Sequence, residues 1–552
     1  MKKYGLVCVG AMALLLGFSH LVCAQGDSRW ERVSILSPGI PRFHLAEGKE
    51  PQSPGSNAGE VKETATQEPL ALSLQDCIMM ALQNNLDIAV EGYNPKMSEE
   101  DIRKEKAAFD PLFYTDAYYA NYYLPTNNAF YSSVAGRAGQ VFTDKHQNWD
   151  LNFGWRQALP TGTSYQLSYN NDRFYSLLGR EIDQTFYTFN PNYTSELSLT
   201  LSQSLLKDFG IDVNKTRIYI AQNNKNISLQ QFRDRVFSVI AEVQNFYWNL
   251  AAAVVNLDVN RRSLKLAQDL LEINKAKVKA GTLAPLEIVA AEAEVASREE
   301  NVIVAENLIK QIEDVLRRVM NLTSESQMWE RPIRTADKPS FVPQQLSVDE
   351  SLKRALELRP DYAQAQIDLA NRDIYKRYTH NQLLPSLNLQ GSAGLNGIGR
   401  HYDDNSEVLR GGDYYSYSVG LILEVPIGNR YARAEYTKAS LDQEKSKTSL
   451  ANLEQKITVE IREAVRQIQT NAKRIETTEK ARTLAQKQLE VEEKKLNVGM
   501  STNFEVLRIQ RDLLQAETNW LRALLDYQRS LVSLERVEGT ILEKHNIELK
   551  QN

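Results

Sequence analysis

Residues able to carry chemistry occur throughout this chain, yet none stands at the spacing that catalysis or metal binding needs. Its six histidines, His20, His44, His146, His380, His401 and His545, are dispersed, with no two at ligand spacing. Cys8 and Cys23 sit near the start, which leaves Cys77 without a partner for a disulfide, a Cys–His pair or a zinc site. Gly394, Gly397 and Gly399 lack the strand-to-helix setting of a phosphate loop and read as an exposed loop after a strand. Carboxylates abound on helical stretches, where salt bridging to neighbouring Lys and Arg accounts for them. No catalytic residue, metal or cofactor is expected, and the chain does not read as an enzyme. A net charge of -5 with both signs mixed supplies no basic field for nucleic acid.

What the sequence does carry is a message written twice. Leu74, Asp76, Ala81, Leu82, Asp87 and Pro111 return as Val348, Glu350, Ala355, Leu356, Asp361 and Pro385, at a constant offset of about 274. Leu266-Ala267-Gln268, Leu271, Lys277, Gly281 and Glu287 return as Leu484-Ala485-Gln486, Leu489, Lys495, Gly499 and Glu505, at an offset of about 218. About 56 residues are therefore extra in the first copy, between two faithfully spaced blocks. The first copy is expected over residues 71–322 and the second over 346–541, joined by a linker at 323–345 and followed by a tail at 542–552.

The elements that hold these landmarks follow from periodicity. Lys2 and Lys3, an apolar run from Gly5 to Phe18 and Val22-Cys23-Ala24 before Gln25 make a secretory signal over residues 1–24. Val22 stands where a lipid-attachment motif wants a small residue, so lipidation of Cys23 is not expected. Residues 25–70, with Pro38, Pro41, Pro51, Pro54 and Pro69, read as a flexible leader. A helix opens each copy and stops at Pro111 or Pro385. Strands then follow, over about 112–205 and 386–425. Trp149, Leu151, Phe153 and Trp155 alternate with polar residues, as do Tyr165 and Leu167, Leu197 and Leu199, and Val419 and Leu421. Such alternation suits a half-buried sheet in a soluble sandwich as well as a membrane wall. The Tyr and Trp content, the tight turn at Pro160-Thr161-Gly162 and the long polar loops of an exported chain favour an outer-membrane barrel wall facing lipid.

Helical hairpins close each copy, over about 214–320 and 430–538. The proline-free runs Asn214–Ala280 and Arg430–Val498 would each reach about 100 Å as helix. In the second, Leu450, Leu453, Ile457, Ile461, Ala464, Ile468, Ala472 and Ile475 form one apolar stripe on an otherwise charged surface. Gly281 and Gly499, each preceded by lysines, mark where the helices stop and turn back.

These residues together resemble the TolC-type outer-membrane efflux family (outer membrane factors). The resemblance runs from about Leu72 to Leu542. It is carried by the Leu-x-x-Ala-Leu-like openings, by Phe109-Asp110-Pro111 and Leu383-Leu384-Pro385 at the entry to the strands, and by the turns Val498-Gly499 to Glu505-Val506-Leu507 and Ala280-Gly281 to Glu287-Ile288-Val289. It implies an α+β membrane protein with two internal repeats per chain. In that fold a homotrimer forms one outer-membrane β-barrel, continued by a long periplasmic α-helical coiled-coil barrel. The implied function is an exit duct for an efflux or type I secretion system, passive and coupled to an inner-membrane pump through a periplasmic adaptor. A structural coiled-coil or adhesin-like envelope protein without channel activity is the alternative.

The resemblance also implies that Gly281 and Gly499 lie at the periplasmic tip, where the adaptor docks and the tunnel closes. Glu287 and Glu505 match the acidic tip positions and, repeated three times, would ring the mouth with six carboxylates. As first-turn acids they serve equally as helix caps. Ser501 stands where arginine is common in the family and Arg508 where a second acid is common, so the closing contacts are expected to differ. Four strands are expected in the first copy, near Leu112 to Tyr123, Asn148 to Ala158, Ser164 to Asp172 and Ser195 to Leu205, and two in the second. A trimer would then hold about eighteen strands, against the family norm of twelve.

Overall fold

The structure is a computed structural model that describes residues 44–45, 69–126, 142–177, 187–322, 329 and 331–548. They fall in one compact unit, Phe43–Leu549. The expected signal segment, nearly all of the leader and the end of the tail lie outside the described residues.

Each copy opens with short helices. Helix α1 (Leu74–Asn84) starts at Ser73, whose hydroxyl caps Asp76 N–H while the Asp76 carboxylate returns to the Ser73 backbone. Asn85 ends α1 and caps the next helix, α2 (Leu86–Glu91), by accepting from Asp87 N (2.9 Å) and Ile88 N (3.1 Å). Helix α3 (Tyr93–Lys106) leads to the first strands. In the second copy α6 (Val348–Leu358) and α7 (Pro360–Asn381) take these places, with Pro360 at the first helical position where its missing N–H costs nothing. Where the sequence suggests only leader and linker, a three-residue parallel pair joins β1 (Leu70–Leu72) to β6 (Ile333–Thr335).

Six strands form one antiparallel sheet: β2 (Leu112–Thr126), β3 (Phe142–Ala158), β4 (Thr163–Ser176), β5 (Asn192–Ser204), β7 (Ser386–Gly399) and β8 (Tyr415–Glu424), in that spatial order. Four come from the first copy and two from the second. Strand β5 pairs with β7 across the repeat boundary, with Leu199 opposite Ala393. Gly394, Gly397 and Gly399 lie inside β7 and not in a loop after it, which corrects the sequence reading. Helix α8 (Tyr402–Gly411) presses on the strand there, and a Cβ at Gly397 would collide with Asn405.

Two hairpins complete the unit: α4 (Thr216–Lys279) with α5 (Leu286–Val319), and α9 (Arg430–Asn497) with α10 (Asn503–Glu538). At 64 and 68 residues, α4 and α9 run about 96 and 102 Å. Lateral packing follows the order α5, α4, α10, α9. Among the described residues no helix is long and apolar enough to cross a membrane.

Three apolar clusters hold the helices. In the first copy Cys77, Ile78, Ala81 and Leu82 of α1 meet Val236, Phe237, Ile240 and Val243 of α4. In the second, Ala355 of α6 meets Ile457 and Ile461 of α9 and Ala523, Leu524 and Tyr527 of α10. Ala81 and Ala355 are repeat equivalents, and each admits a long helix closely because it is small. Near the turns, Leu270 of α4 packs with Ala485, Leu489, Val506 and Leu513. Tyr247 fixes the β1–β6 pair to α4: its hydroxyl donates to Asp337 Oδ2 (2.8 Å), and Asp337 N–H donates back to it (3.1 Å). Burial pushes the Cys77 thiol up to about 12. Ile461 is fully buried between α6, α9 and α10. Ile461→Ala should therefore cost about 2–5 kcal/mol, read as a lower midpoint in chemical denaturation followed by circular dichroism.

Candidate membrane wall and tunnel mouth

Strand pairing puts the apolar residues of all six strands on one face. Trp155 lies opposite Phe113 on one side and Leu167 on the other; Leu167 faces Leu199, and Leu199 faces Ala393, which faces Tyr417. The next row is Phe153, Tyr169, Leu197, Leu395 and Tyr415, and the row nearer the helices holds Tyr165, Leu201, Gly391 and Val419. Trp149, Leu151 and Leu421 share this face. Its side chains are exposed: Trp149 by 53%, Leu167 by 44% and Leu421 by 65%. A sheet that leaves a continuous apolar face uncovered needs an apolar medium or partner against it.

The opposite face is polar and hydrogen-bonded to itself. Asn152 Nδ2 donates to Asp116 Oδ2 (2.8 Å) and Gln166 Nε2 to Tyr114 OH (2.8 Å), while Ser168 pairs with Ser198 (2.8 Å) and Ser392 with Ser418 (2.7 Å). Away from the helices the apolar face turns polar, at Asn171 and Ser195. There Asn405 of α8 donates to Ser195 Oγ (2.6 Å). Sequence reasoning placed a strand at β2 but assigned none of its residues to the apolar face, which Phe113 and Tyr119 join. Aromatic residues on both faces of that strand, such as Tyr118 beside Tyr119, blur the period of two.

At the far end of the helices the two turns are built alike. Gly281 (φ 77) and Gly499 (φ 76) adopt the left-handed conformation open to glycine. Thr282 N–H reaches back to Lys277 O (3.0 Å) and Gly281 N–H to Val278 O (2.9 Å); Met500 to Lys495 (2.8 Å) and Gly499 to Leu496 (3.2 Å) repeat the pattern. Both are Schellman caps.

The acids beyond the turns are not alike. Glu505 stands in the first turn of α10, where Thr502 Oγ1 caps its N–H (3.3 Å), and its carboxylate grips Arg508. The hydrogen-bonded Arg508 guanidinium holds the Glu505 carboxyl below the usual carboxylate range. Arg508 also reaches Asp512 Oδ2 (3.5 Å). Glu287, in the first turn of α5, accepts instead from Asn503 Nδ2 (3.3 Å), a bond that ties the first turn to the second. Ser501 donates to Glu492, which also pairs with Lys495 (3.1 Å). In this way Ser501 and Arg508 fold their contacts back into their own hairpin. Near the turns, polar contacts between the hairpins come from Asn503 and from Arg511, 3.9 Å from Glu294.

The family model for outer membrane efflux proteins matches residues 77–322 and 351–540, the two copies in turn. The chain belongs to the outer membrane efflux protein family. Its place is the cell outer membrane, with a helical extension on the periplasmic side. Among curated proteins none matches it by sequence. Solved structures of similar fold include the Campylobacter jejuni CmeC outer membrane channel, with 16% identity over 91% of this chain and 96% of that one (TM-score 0.60). The outer membrane protein VceC from Vibrio cholerae matches at 15% identity over 84% and 96% (TM-score 0.60). The open state of the Neisseria gonorrhoeae MtrE outer membrane channel matches at 16% over 91% and 99% (TM-score 0.56). The exposed apolar face of the sheet needs an apolar counterpart. Leu151 lies on that face beside Asn171, and with lipid against it Leu151→Arg should destabilise the wall, by about 2–4 kcal/mol at mid-membrane depth and less toward the rim. Loss of heat-resistant assembly on gels is the expected readout, and normal assembly would place Leu151 away from lipid.

Proposed function

We propose that three copies of this chain close into one outer-membrane barrel and one helical tunnel, and that the assembly is a passive exit duct served by a periplasmic adaptor and an inner-membrane pump. The observation that carries this reading is the pair of open edges on the sheet. Strands β2 and β8 end the strand order, each paired on one side only. Strand β2 runs away from the helices and β8 runs back toward them, so β8 of one copy meets β2 of the next antiparallel, with apolar faces aligned. A hydrogen-bonding edge in lipid must be paired, and closure by copies is the solution available to an open amphipathic sheet.

The helices support the same closure. Helices α5 and α9 lie at opposite flanks of the four-helix layer, and both expose apolar residues there: Ile303, Val304 and Leu308 on α5, Val459, Leu484 and Val491 on α9. Flanks that each lack a partner and each carry an apolar stripe suit a ring of copies. At the turns Leu286, Val289, Val498, Met500 and Phe504 are exposed, which gives an adaptor an apolar tip to grip. Gly281 and Gly499 set the shape of that tip, and Glu287 and Glu505 set its charge.

Purified protein in a planar bilayer tests the duct reading. Discrete conductance steps with cation preference are expected, and a chain that forms no steps at all would instead be a scaffold. Replacing both Glu287 and Glu505 by Gln should lower the cation preference, measured as the reversal potential in a salt gradient; an unchanged potential would remove these acids from the mouth. Arg508→Ala should move the same potential the other way, because it frees Glu505 from its local counter-charge.

A further inference from the structure

Charge is sorted between the two faces of the sheet. The acids of β2–β5, Asp116, Asp144, Asp150, Asp172 and Glu196, all share the polar face with Asn152 and Ser168, by the same alternation that puts Trp149 and Leu167 on the other. Across all six strands the apolar face carries just two charged residues, Lys145 and Arg173, and both are cations. They belong to β3 and β4, the hairpin that the first copy has and the second lacks.

Both stand past the apolar rows, at the end of the sheet away from the helices. Beyond Leu151 and Asn171 comes a row made of Tyr119, Trp149, Arg173 and Tyr193, and further out Lys145 lies opposite Tyr123. Lys145 is four residues beyond Trp149 in β3, so the two cations are about 13 Å apart along the strands. Helix α8 stands on the same face beside this row: Gly399, opposite Tyr193, leaves the room it fills, since a Cβ there would strike Asn405 N.

Aromatic rings hold each cation in place. The Arg173 guanidinium lies over Tyr175 (5.6 Å) and Tyr193 (5.8 Å), and its Nε donates to Tyr193 OH (3.1 Å). Lys145 Nζ lies over Tyr123 (5.3 Å), and Trp149 packs against Tyr119 with ring centroids 4.7 Å apart. Among the described residues neither cation meets a carboxylate. With Nε held by Tyr193, the terminal N–H groups of Arg173 remain as a planar fork that matches two phosphate oxygens. A cation on a lipid-facing strand is costly at mid-membrane and nearly free at the interface, so cations confined to and beyond an aromatic row mark the headgroup level.

We infer that Arg173 and Lys145 bind the phosphates of an outer-leaflet lipid, whose chains lie on the apolar rows of Phe153, Trp155, Leu167 and Leu199 below. This rests on the membrane wall and trimeric duct proposed above. Charge complementarity selects the occupant: an apolar face with no acid and two cations at its rim suits an anionic headgroup joined to hydrocarbon. The aromatic row and α8 bound the shelf on which that headgroup sits, and three copies supply three such shelves.

Native mass spectrometry of the detergent-purified full chain, titrated with lipid, tests the site. Diphosphorylated lipid A should bind the trimer, and phosphate-free lipid A should bind about tenfold or more weakly. Inorganic phosphate, which lacks the chains, should not displace the bound lipid at equal concentration. The double variant Lys145→Ala, Arg173→Ala should lose the preference for the phosphorylated lipid, whereas Arg156→Ala, which removes a cation from the opposite face, should keep it. Equal binding of the two lipids by the unaltered chain, displacement by inorganic phosphate, an undiminished preference in the double variant or an equal loss in Arg156→Ala would each overturn the inference. If the double variant fails to assemble, the phosphate dependence of the unaltered chain still decides. Trimers that bind both lipids alike would sink the site and leave the duct intact; a chain that never forms trimers would sink the duct and the site with it.

Discussion

In a bilayer every backbone N–H and C=O must find its partner within the protein, and the six-stranded sheet has its two open edges along β2 and β8. That single requirement organises the remainder. It demands neighbours on both flanks, and so the helices beneath must also expose complementary flanks. It fixes an even number of strands in each copy, because a chain that leaves the helical end has to return there. It also explains why the two copies can differ in strands but hardly in helices: a hairpin can be added to a wall in pairs, whereas a helix of altered length would shift its turn away from the common tip.

The helical half was the more legible in sequence, because its constraints are repeated and local. Ala81 and Ala355, Gly281 and Gly499, and the lysines before each glycine recur because each copy must solve the same packing and capping problem. The strand alternation at Trp149–Trp155 and Leu197–Leu201 was equally plain, since one face of the sheet is apolar and the other polar. Other features left no local mark. The β1–β6 pair has three residues on each side, too few to show a period. Helix α8 follows a glycine-bearing strand, and glycine reads as loop unless the helix that presses on it is known.

The candidate mouth was legible in position and not in chemistry. Spacing from the turn glycine places Glu287 and Glu505 in equivalent first turns, and the structure places them so. What each touches depends on residues outside the repeat. Arg508 has no cationic counterpart at its repeat equivalent, Ala290, so Glu505 is neutralised within its own helix while Glu287 is held by Asn503 from the other hairpin. Duplicated backbones thus carry unlike electrostatics, and any charge at the mouth alternates between two kinds of site instead of repeating six identical ones.

Cys77 has a practical meaning beyond its place in the first core. It is wholly enclosed between α1 and α4 and its thiol is pushed far above physiological pH, so thiolate-seeking reagents find almost no nucleophile there. Outside the segment read as a signal, the chain carries no other sulfhydryl. For chemical labelling the native protein is therefore already a silent background, on which a spin label or fluorophore attached to one introduced cysteine would report from that position alone.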